Sequence, residues 1–376
     1  MLSILMITDT LRCGGAEKSF AALAKSLVKL GHKIDIIILE KQGVSNDLLN
    51  DLDHSITFLK KGAIPKWKKG WLLRYYSQSI CQSIQHTKPN IVLSFQNRSN
   101  IVNVMVKNQL RKANHFHQSI HVISERIYDQ RRWFSPMLHL KKYFYLKADH
   151  ITCNASEIKD RLIQHFHVNK HKIDIIPNSY NKAFIQKQYN KSIPSTDKSL
   201  FTNHHKVIVN VGRLSKQKGQ WHLIELLTYL PEHYHVLIIG EGELKEPLHK
   251  YAQKHGVSHR FHLIGKRDNP FAYFKHCTLF AFTSSHEGYP NALAEALICH
   301  MPTITFDFKA GVYDLVKTSN CAECIPYGDT KQMAQMILKM QHPDYKNRAS
   351  QVKIHDINTL SHAYQDLFYK LCQQRN

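Results

Sequence analysis

The sequence predicts an α/β protein with two Rossmann-like domains, each a doubly wound parallel sheet covered by helices. In the first half, an apolar strand at residues 3–9 leads into a glycine loop, a helical pattern and a second apolar strand at residues 33–39. The same alternation begins again at residue 206, after a polar stretch at residues 186–205 that we interpret as a linker or an exposed loop. Two such runs indicate two domains that face one another.

The strand at residues 33–39 has a near-continuous apolar run, as expected for a parallel strand covered on both faces. The predicted domains are residues 1–180 and 200–356. An apolar helical pattern at about residues 357–373 predicts a last helix within residues 357–376, which can serve either domain, including by packing back on the first. Other strands are predicted at residues 56–60, 91–95, 120–124, 150–153, 173–176, 206–214, 235–240, 261–265, 277–283 and 302–306.

The composition is that of a globular protein with an unusual positive charge. The 376 residues include 51 Lys and Arg against 29 Asp and Glu, a formal net charge of +22, with 26 His besides. Such a chain is attracted to polyanions, which include nucleic acid, anionic lipid and phosphate-bearing substrates. The apolar runs are strand-sized and the chain starts directly with a strand, so we expect neither a membrane span nor a secretion signal.

Eight cysteines without a framework spacing fit a reducing compartment, and hence the cytosol. The one close pair is Cys321 and Cys324. This pair could bind zinc or take part in redox chemistry, and ordinary packing is the alternative.

The most informative segment runs from Glu287 to Glu295 and follows a predicted strand, at the end where open α/β sheets bind ligands. Pro290 is well placed to begin a helix, which would leave the amides of Asn291 and Ala292 free to bind an anion. One glutamate lies before the helix and the other more than one turn inside it, so they do not form an acid–base pair. They fit better as hydrogen-bond acceptors for hydroxyl groups on two parts of one ligand, and two surface glutamates are the alternative.

This segment resembles the E-x7-E motif of the retaining GT-B glycosyltransferases of family 4, the group 1 glycosyl transferases. The resemblance implies that Glu287 contacts the transferred sugar and that Glu295 hydrogen-bonds the ribose of the nucleotide. Between them, Gly288, Pro290 and the following two residues would belong to the donor site. The resemblance also implies a GT-B architecture, in which two Rossmann-like domains face a central cleft and the donor keeps its anomeric configuration.

A second motif, from Gly212 to Gly219, follows the first strand of the second half. Its Arg213 and Lys218 can converge on a diphosphate and neutralise charge on the leaving group. A basic loop in a basic protein is the alternative, and Lys216 is a nearby substitute for Lys218. The motif is similar to the family's phosphate-binding loop, which implies that both cations bind the donor diphosphate. We take Arg213, Lys218 and Glu287 as the candidate catalytic residues.

Three glycine turns give weaker support. Gly14 and Gly15 precede the first helix and resemble the family's Gly-Gly-Ala-Glu loop, which faces the donor. Gly240 follows a strand in a Gly-x-Gly turn, and Gly265-Lys266 ends another strand where the family's backbone meets the nucleotide base. Each can also be a tight turn without a ligand contact.

One segment departs from the family pattern. Ser124-Glu125-Arg126 resembles a family segment whose third residue is commonly His, close to the reacting sugar. An Arg cannot act as a base, but it can contact a phosphate or a sugar hydroxyl. Arg126 and Glu125 are therefore candidate contacts to the acceptor or the sugar, with an ion pair between them as the alternative.

The resemblance implies transfer of a hexose or N-acetylhexosamine from a nucleotide-diphosphate sugar, with UDP as the first choice. The expected acceptor is a saccharide or polyprenyl-linked saccharide of lipopolysaccharide, capsule or oligosaccharide synthesis. We expect no cofactor and no requirement for a metal ion. A nucleotide-sugar epimerase or another non-transferase of this fold is the alternative. A basic nucleic-acid-binding protein is a distant one, because no nucleic-acid module is recognisable.

Two stretches of the first half, residues 60–76 and 131–147, mix Lys and Arg with Trp, Tyr, Phe and Leu. This mixture suits a segment that lies in the interface of an anionic membrane. We therefore hypothesise a cytoplasmic enzyme that docks peripherally on the inner face of the membrane and receives a lipid-linked acceptor. A solvated basic face over an aromatic core is the alternative.

Overall fold

The computed structural model divides into two compact units, Met1–Ser179 with His355–Asn376, and Tyr180–Ile354. Each unit contains one parallel sheet, which confirms the predicted α/β class. The residues described are 1–12, 15–41, 44, 56–60, 69–112, 119–126, 136–201, 204–308, 311–317, 319, 322–341, 354 and 356–375.

The sheet of the first unit has seven strands in the order β3-β2-β1-β4-β5-β6-β7. The order reverses between β1 and β4, where Ile4 lies opposite Ile34 on one side and Ile91 on the other. Their carboxyl ends flank the position at which open α/β sheets bind ligands. The strands are β1 Ser3–Thr8, β2 Lys33–Glu40, β3 Ile56–Lys60, β4 Ile91–Phe95, β5 Ile120–Glu125, β6 His150–Cys153 and β7 Ile173–Ile175.

Helices connect these strands and cover the sheet. The first helix buries Phe20, Leu23 and Leu27, and the ring of Phe20 packs edge-on against Phe95 at 5.3 Å between centroids. Burial of such apolar side chains is the main stabilising contribution to this unit. The helices are α1 Gly15–Lys29, α2 Lys69–Thr87, α3 Asn97–Lys112, α4 Pro136–Tyr145 and α5 Ser156–Gln164.

The second unit repeats the arrangement with six strands in the order β10-β9-β8-β11-β12-β13. Side chains of β8 alternate between two apolar layers: Val207 and Val209 face one, and Ile208 faces the other. The strands are β8 Lys206–Val211, β9 Tyr234–Ile239, β10 Phe261–Leu263, β11 Leu279–Phe282, β12 Thr303–Phe306 and β13 Ala322–Ile325. The helices are α6 Lys182–Tyr189, α7 Trp221–Tyr229, α8 Lys245–Lys254, α9 Phe271–Phe274, α10 Asn291–Ile298, α11 Val312–Lys317 and α12 Thr330–Lys339.

Residues 186–205 were predicted to be a linker or an exposed loop; more than half of their described side chains are exposed, but the segment is not a linker between the two units. They include the end of α6 and a 3-10 helix, Ser195–Leu200, and they belong to the second unit. Ile193 and Asp197 are buried there. The polar composition misled the prediction because a few buried side chains, one of them charged, are enough to fix this segment against the sheet.

The last helix, α13 (Ile357–Gln373), packs on the first unit. Leu360, Tyr364 and Phe368 enter the same apolar core as α1 and β1. The first unit is therefore assembled from two separate parts of the chain. Among the helices of the described part, none has both the length and the apolar character that a bilayer crossing requires.

Two buried histidines are held in the neutral form. His121 on β5 contacts Asn103 Oδ1 through Nδ1 at 2.7 Å, and burial lowers its pKa to about 3. His235 on β9 stacks on His205 with ring centroids 3.8 Å apart. Burial, followed by the charges of His205 and His262, lowers the pKa of His235 to about 4.

These pKa values predict a loss of stability in mild acid. Both pKa values lie below the ordinary histidine value of 6.5. Between each lowered pKa and 6.5, the unfolded chain therefore binds more protons than the folded chain. The stabilisation that comes from keeping these histidines neutral is complete above about pH 6.5 and is lost as the pH falls toward about 4. The melting temperature should drop across this window, and His235→Gln should reduce the drop. The exposed His171→Gln is the control, and identical pH profiles for wild type and His235→Gln would contradict the assignment.

Candidate functional site

The carboxyl edge of the second sheet carries the segments that the sequence singled out. Strand β8 pairs with β9 on one side and with β11 on the other, so the strand order reverses beside it. The loops after these strands, residues 212–219, 240–244 and 283–290, leave the sheet at the same edge because the strands are parallel.

The loop after β8 is fixed against the loop after β11. A 3-10 turn, Lys216–Lys218, ends at Gly219, which has a φ of 61° in the left-handed region. A Cβ at Gly219 would lie 2.4 Å from the Thr283 carbonyl oxygen, so only glycine fits. The Thr283 hydroxyl donates to the Lys218 carbonyl at 2.9 Å, and the Ser285 amide donates to the Gln217 carbonyl at 2.8 Å.

This fixed loop brings together two predicted site residues from different motifs. Lys218 Nζ lies 2.6 Å from Glu287 Oε1, and their side chains are 22% and 12% exposed. Lys218 Nζ also lies 5.4 Å from the centre of the Phe282 ring. The structure thus places a cation that suits a phosphate next to a carboxylate that suits sugar hydroxyls.

Arg213 has a different partner from Lys218. Its side chain is 73% exposed, and Nη2 lies 3.3 Å from Glu243 Oε2. Each of the two cations contacts its own carboxylate, and the convergence of Arg213 and Lys218 on a diphosphate stays a prediction. An exposed ion pair of this kind contributes little stability, and a diphosphate can replace the carboxylate at low cost.

Glycines allow the turn after β9 to lie directly against the loop after β8. A Cβ at Gly240 would be 1.9 Å from the Gly212 carbonyl oxygen, and one at Gly242 would be 2.2 Å from that of Leu214. The Gly240 amide also donates to the Gly265 carbonyl at 3.0 Å. Gly240 and Gly265 therefore have a packing role. Lys266, next to Gly265, is exposed, and its amide lies 3.4 Å from Glu241 Oε1.

The segment before α10 departs from the sequence prediction. Pro290 precedes the helix, with φ −81° and ψ 76°, and the Asn291 amide donates to the Tyr289 carbonyl at 2.9 Å. This is an inverse γ-turn centred on proline, so the amide of Asn291 is not free as predicted. The Asn291 side chain accepts from the Tyr180 hydroxyl at 2.7 Å. The remaining members of the motif, Gly288, Ala292 and Glu295, are half-buried.

The first-unit candidates are a glycine loop and two buried charged residues, Glu125 and Arg126. Gly15 begins α1 and is half-buried, and Gly14 lies outside the described residues. Glu125 is buried and pairs with Lys141 Nζ at 2.5 Å, and it accepts from the Tyr145 hydroxyl at 2.7 Å. These contacts make Glu125 part of the internal packing.

Arg126 is 5% exposed and makes contacts with neutral groups. Its Nε donates to Ser124 Oγ at 3.0 Å, its Nη2 donates to the Tyr364 hydroxyl at 2.9 Å, and Nη1 contacts Asn178 Oδ1. The guanidinium lies 4.6 Å from the centre of the Phe95 ring. The ion pair with Glu125 considered above does not form, because Glu125 pairs with Lys141 instead.

The carboxyl edge of the first sheet also holds a polar cluster that the sequence did not reveal. Asp9 accepts from the Ser99 amide at 2.7 Å and so caps α3. Burial raises the pKa of Asp9, against the opposing charge of Arg98, which itself pairs with Glu40. The sequence pattern does not mark this cluster. The structure marks it by backbone strain at Gln96, whose φ is 77°.

The metal and zinc alternatives find no support in the described part of the chain. No three His, Cys, Asp or Glu side chains cluster there as metal ligands. Cys324 is half-buried on β13, and burial raises the pKa of its thiol to about 11, which disfavours the reactive thiolate. Cys321 and an Asp-x-Asp sequence, Asp51-Leu52-Asp53, lie outside the described residues, so metal-free donor binding stays a prediction.

Comparison with known proteins matches both halves of the chain to glycosyltransferase families. Residues 193–353 match the model of the Glycosyl transferases group 1 family, and residues 13–184 match that of Glycosyltransferase Family 4. An uncharacterized glycosyltransferase of Methanocaldococcus jannaschii is 32% identical over 275 residues, which is 71% of this chain and 67% of that protein.

A second relative is the N-acetylgalactosamine-N,N'-diacetylbacillosaminyl-diphospho-undecaprenol 4-alpha-N-acetylgalactosaminyltransferase of Campylobacter jejuni. It is 30% identical over 210 residues, which cover 54% of this chain and 55% of that protein. Among solved structures, Anabaena HepE in complex with UDP superposes with a TM-score of 0.76 at 17% identity, over 99% of this chain and 98% of that one. Given these matches and the two parallel sheets, the chain belongs to glycosyltransferase family 4 and has the GT-B fold.

Proposed function

We propose that the enzyme is a retaining transferase that uses a UDP-sugar and extends a saccharide or lipid-linked saccharide during cell-surface glycan synthesis. The observation that carries this proposal is the contact between Lys218 Nζ and Glu287 Oε1 at 2.6 Å. A nucleotide sugar presents a diphosphate next to a hexose, and the pair presents a cation next to a carboxylate. One nucleotide sugar can therefore contact both side chains, with its diphosphate at Lys218 and its hexose at Glu287.

In the proposed reaction, charge develops on the diphosphate as the bond to the sugar breaks. Lys218 supplies a point charge to that diphosphate, and Arg213 supplies a planar fork once it exchanges Glu243 for phosphate oxygens. Glu287 accepts hydrogen bonds from sugar hydroxyls and so fixes the ring. We propose a front-face transfer, in which a leaving phosphate oxygen takes the acceptor proton and the anomeric configuration is retained.

The names of relatives support the choice of substrates. The Campylobacter jejuni relative acts on a saccharide linked to diphospho-undecaprenol, and Anabaena HepE was crystallised with UDP. By analogy we propose a UDP-sugar donor and a polyprenyl-linked acceptor for this enzyme. The first unit would bind the acceptor, with Arg126 as a candidate contact.

We further propose that the enzyme docks on an anionic membrane through α4. Four apolar side chains on and after this helix are exposed, and Lys147 Nζ lies 4.0 Å from the centre of the Tyr143 ring. Apolar groups next to cations suit a lipid interface. Other members of the second basic stretch, Lys141 and Tyr145, are buried around Glu125 and cannot contact lipid. Residues 61–68 and 127–135 lie outside the described part. The exposed apolar residues are Met137, Leu140, Tyr143 and Leu146.

Removal of the Lys218 charge should weaken binding of the nucleotide itself. Lys218→Ala should raise the Kd for UDP about tenfold or more, the usual effect of losing a hydrogen bond to a charged group. Isothermal titration calorimetry with UDP measures this change. Lys216→Ala, which removes an exposed cation from the same loop, is the control and should bind UDP as wild type does. An unchanged Kd in Lys218→Ala would overturn the diphosphate assignment.

Glu287→Gln should separate catalysis from nucleotide binding. Because Glu287 is assigned to the sugar, the variant should keep its affinity for UDP within a few-fold while turnover of the UDP-sugar falls about 100-fold or more. The rate of UDP release with the UDP-sugar as the only added substrate measures turnover. Calorimetry measures the affinity for UDP. Loss of UDP binding together with turnover would place Glu287 at the diphosphate or in the fold instead.

The α4 surface should determine membrane binding. Wild-type enzyme should co-sediment with vesicles containing anionic phospholipid at low salt and be released as salt screens the charges. Combined replacement of Met137, Leu140 and Tyr143 by Ser should reduce the bound fraction severalfold. Phe184→Ser with Leu338→Ser removes exposed apolar side chains from the second unit and serves as the control. Equal binding by the two variants would exclude α4 as the docking surface.

A further inference from the structure

A cavity of about 470 Å³ lies between α7 and α8 of the second unit. Trp221 and Glu225, one helical turn apart, line it from α7, and Leu248 and Tyr251 line it from α8. Its volume falls within the range of roughly 300–1,000 Å³ that is usual for small-molecule sites. Among the described residues that line it, none is one that we assign to the diphosphate or the sugar of the donor.

Two aromatic side chains give the cavity apolar walls that are already ordered. Trp221 and Tyr251 are both half-buried, and both pack against the apolar core that contains Leu248. The ring of Tyr251 also lies against His255, with 4.4 Å between the ring centroids. Because these rings are held by the protein, a ligand that packs on them orders few side chains when it binds.

Glu225 supplies a carboxylate whose orientation is fixed on both oxygens. The Tyr251 hydroxyl donates to Oε1 at 2.8 Å, and His222 Nδ1 lies 3.1 Å from Oε2. The Glu225 side chain is 28% exposed. Since a carboxylate has about four acceptor positions, each oxygen can accept a further hydrogen bond from the hydroxyl group of a ligand.

The charges around the cavity disfavour ionic ligands. Lys216, on the 3-10 turn after β8, lines the same cavity and is exposed. A phosphate would therefore approach the carboxylate of Glu225, and a cation would approach the ammonium group of Lys216. A wholly apolar ligand would remove Glu225 from water without offering it a hydrogen bond. The cavity fits a neutral ligand that is apolar on one face and carries hydroxyl groups at its edge.

We infer that this cavity is a second saccharide-binding site, separate from the proposed donor site. A pyranose ring has apolar C–H groups on its faces, which suit Trp221 and Tyr251, and hydroxyl groups at its edge, which suit Glu225. A free sugar and a residue of a glycan chain both have this chemistry. The inference does not depend on the identity of the donor, because a glycosyltransferase handles a saccharide whatever its donor is.

Fluorine NMR of enzyme labelled with fluorotryptophan tests the site directly. The chain has four Trp residues, and loss of one resonance in Trp221→Phe identifies the signal of Trp221. The probes are the methyl α-glycosides of glucose, galactose, N-acetylglucosamine and N-acetylgalactosamine. At least one of them should shift the Trp221 resonance in a saturable way, which gives a Kd. Sorbitol, a polyol without a ring, should leave the resonance in place.

Two variants test the assigned contacts. Glu225→Gln should raise the Kd of the responding glycoside about tenfold or more, the usual effect of losing a hydrogen bond to a charged group. Tyr251→Phe keeps the ring but removes the hydroxyl that orients Glu225, and it should raise the Kd severalfold. Glu246→Gln changes an exposed carboxylate of α8 that does not line the cavity, and it should bind as wild type does. The melting temperature of each variant checks its fold.

The source of the saccharide is distinguished by chain length. Tighter binding of an α-linked trisaccharide than of the methyl glycoside of the same sugar would assign the site to a glycan chain. Equal binding would assign it to a single sugar residue.

Three results would overturn the inference. The first is a Trp221 resonance that no glycoside shifts, or that sorbitol shifts equally. The second is competition between UDP and the glycoside, which would place the sugar in the proposed donor site. The third is a Trp221 resonance that moves with enzyme concentration alone, which would show that a second copy of the chain covers the cavity.

Discussion

Close backbone contact between the loop after β8 and its two neighbours is the constraint on which the carboxyl edge of the second sheet depends. At Gly240, the missing side chain allows the next turn to rest on the Gly212 carbonyl, and Gly219 does the same against Thr283. The chain can therefore bring three loops together without side chains between them. Lys218 and Glu287 meet where these joined loops bring them together.

Motifs with a fixed local spacing were the most predictable part of the molecule. Glu287 and Lys218 were both marked by residues that lie within a few positions of them, and the alternation of strands and helices gave the fold class. Asp197 could not be found in this way. Its partners Arg267 and Tyr273 lie 70 and 76 residues further along the chain, and its own surroundings are polar enough to resemble a linker. Contacts between distant residues leave no periodic signal in a single sequence.

Backbone geometry limits the prediction in a second way. Pro290 was expected to start α10 and to leave the next amides free. The proline does cap this helix, and its carbonyl accepts from the Ala294 amide at 3.1 Å, but it also centres a γ-turn that uses the Asn291 amide. Both conformations have nearly the same φ, which proline restricts, and they differ in ψ, which it does not. Arg126 shows a related limit. Its residue type suggested a carboxylate or phosphate partner, whereas the fold surrounds it with a tyrosine, an asparagine, a serine and an aromatic ring.

The position of α13 has a consequence for how the chain folds during synthesis. The second unit is continuous in sequence, so it can form its whole core once residue 354 has been made. The first unit is made earlier but lacks Leu360, Tyr364 and Phe368 until the last helix emerges from the ribosome. Domains generally fold in the order of their synthesis. Here the first unit completes its core only when α13 has been made, after the whole second unit. Part of its apolar surface stays exposed until then.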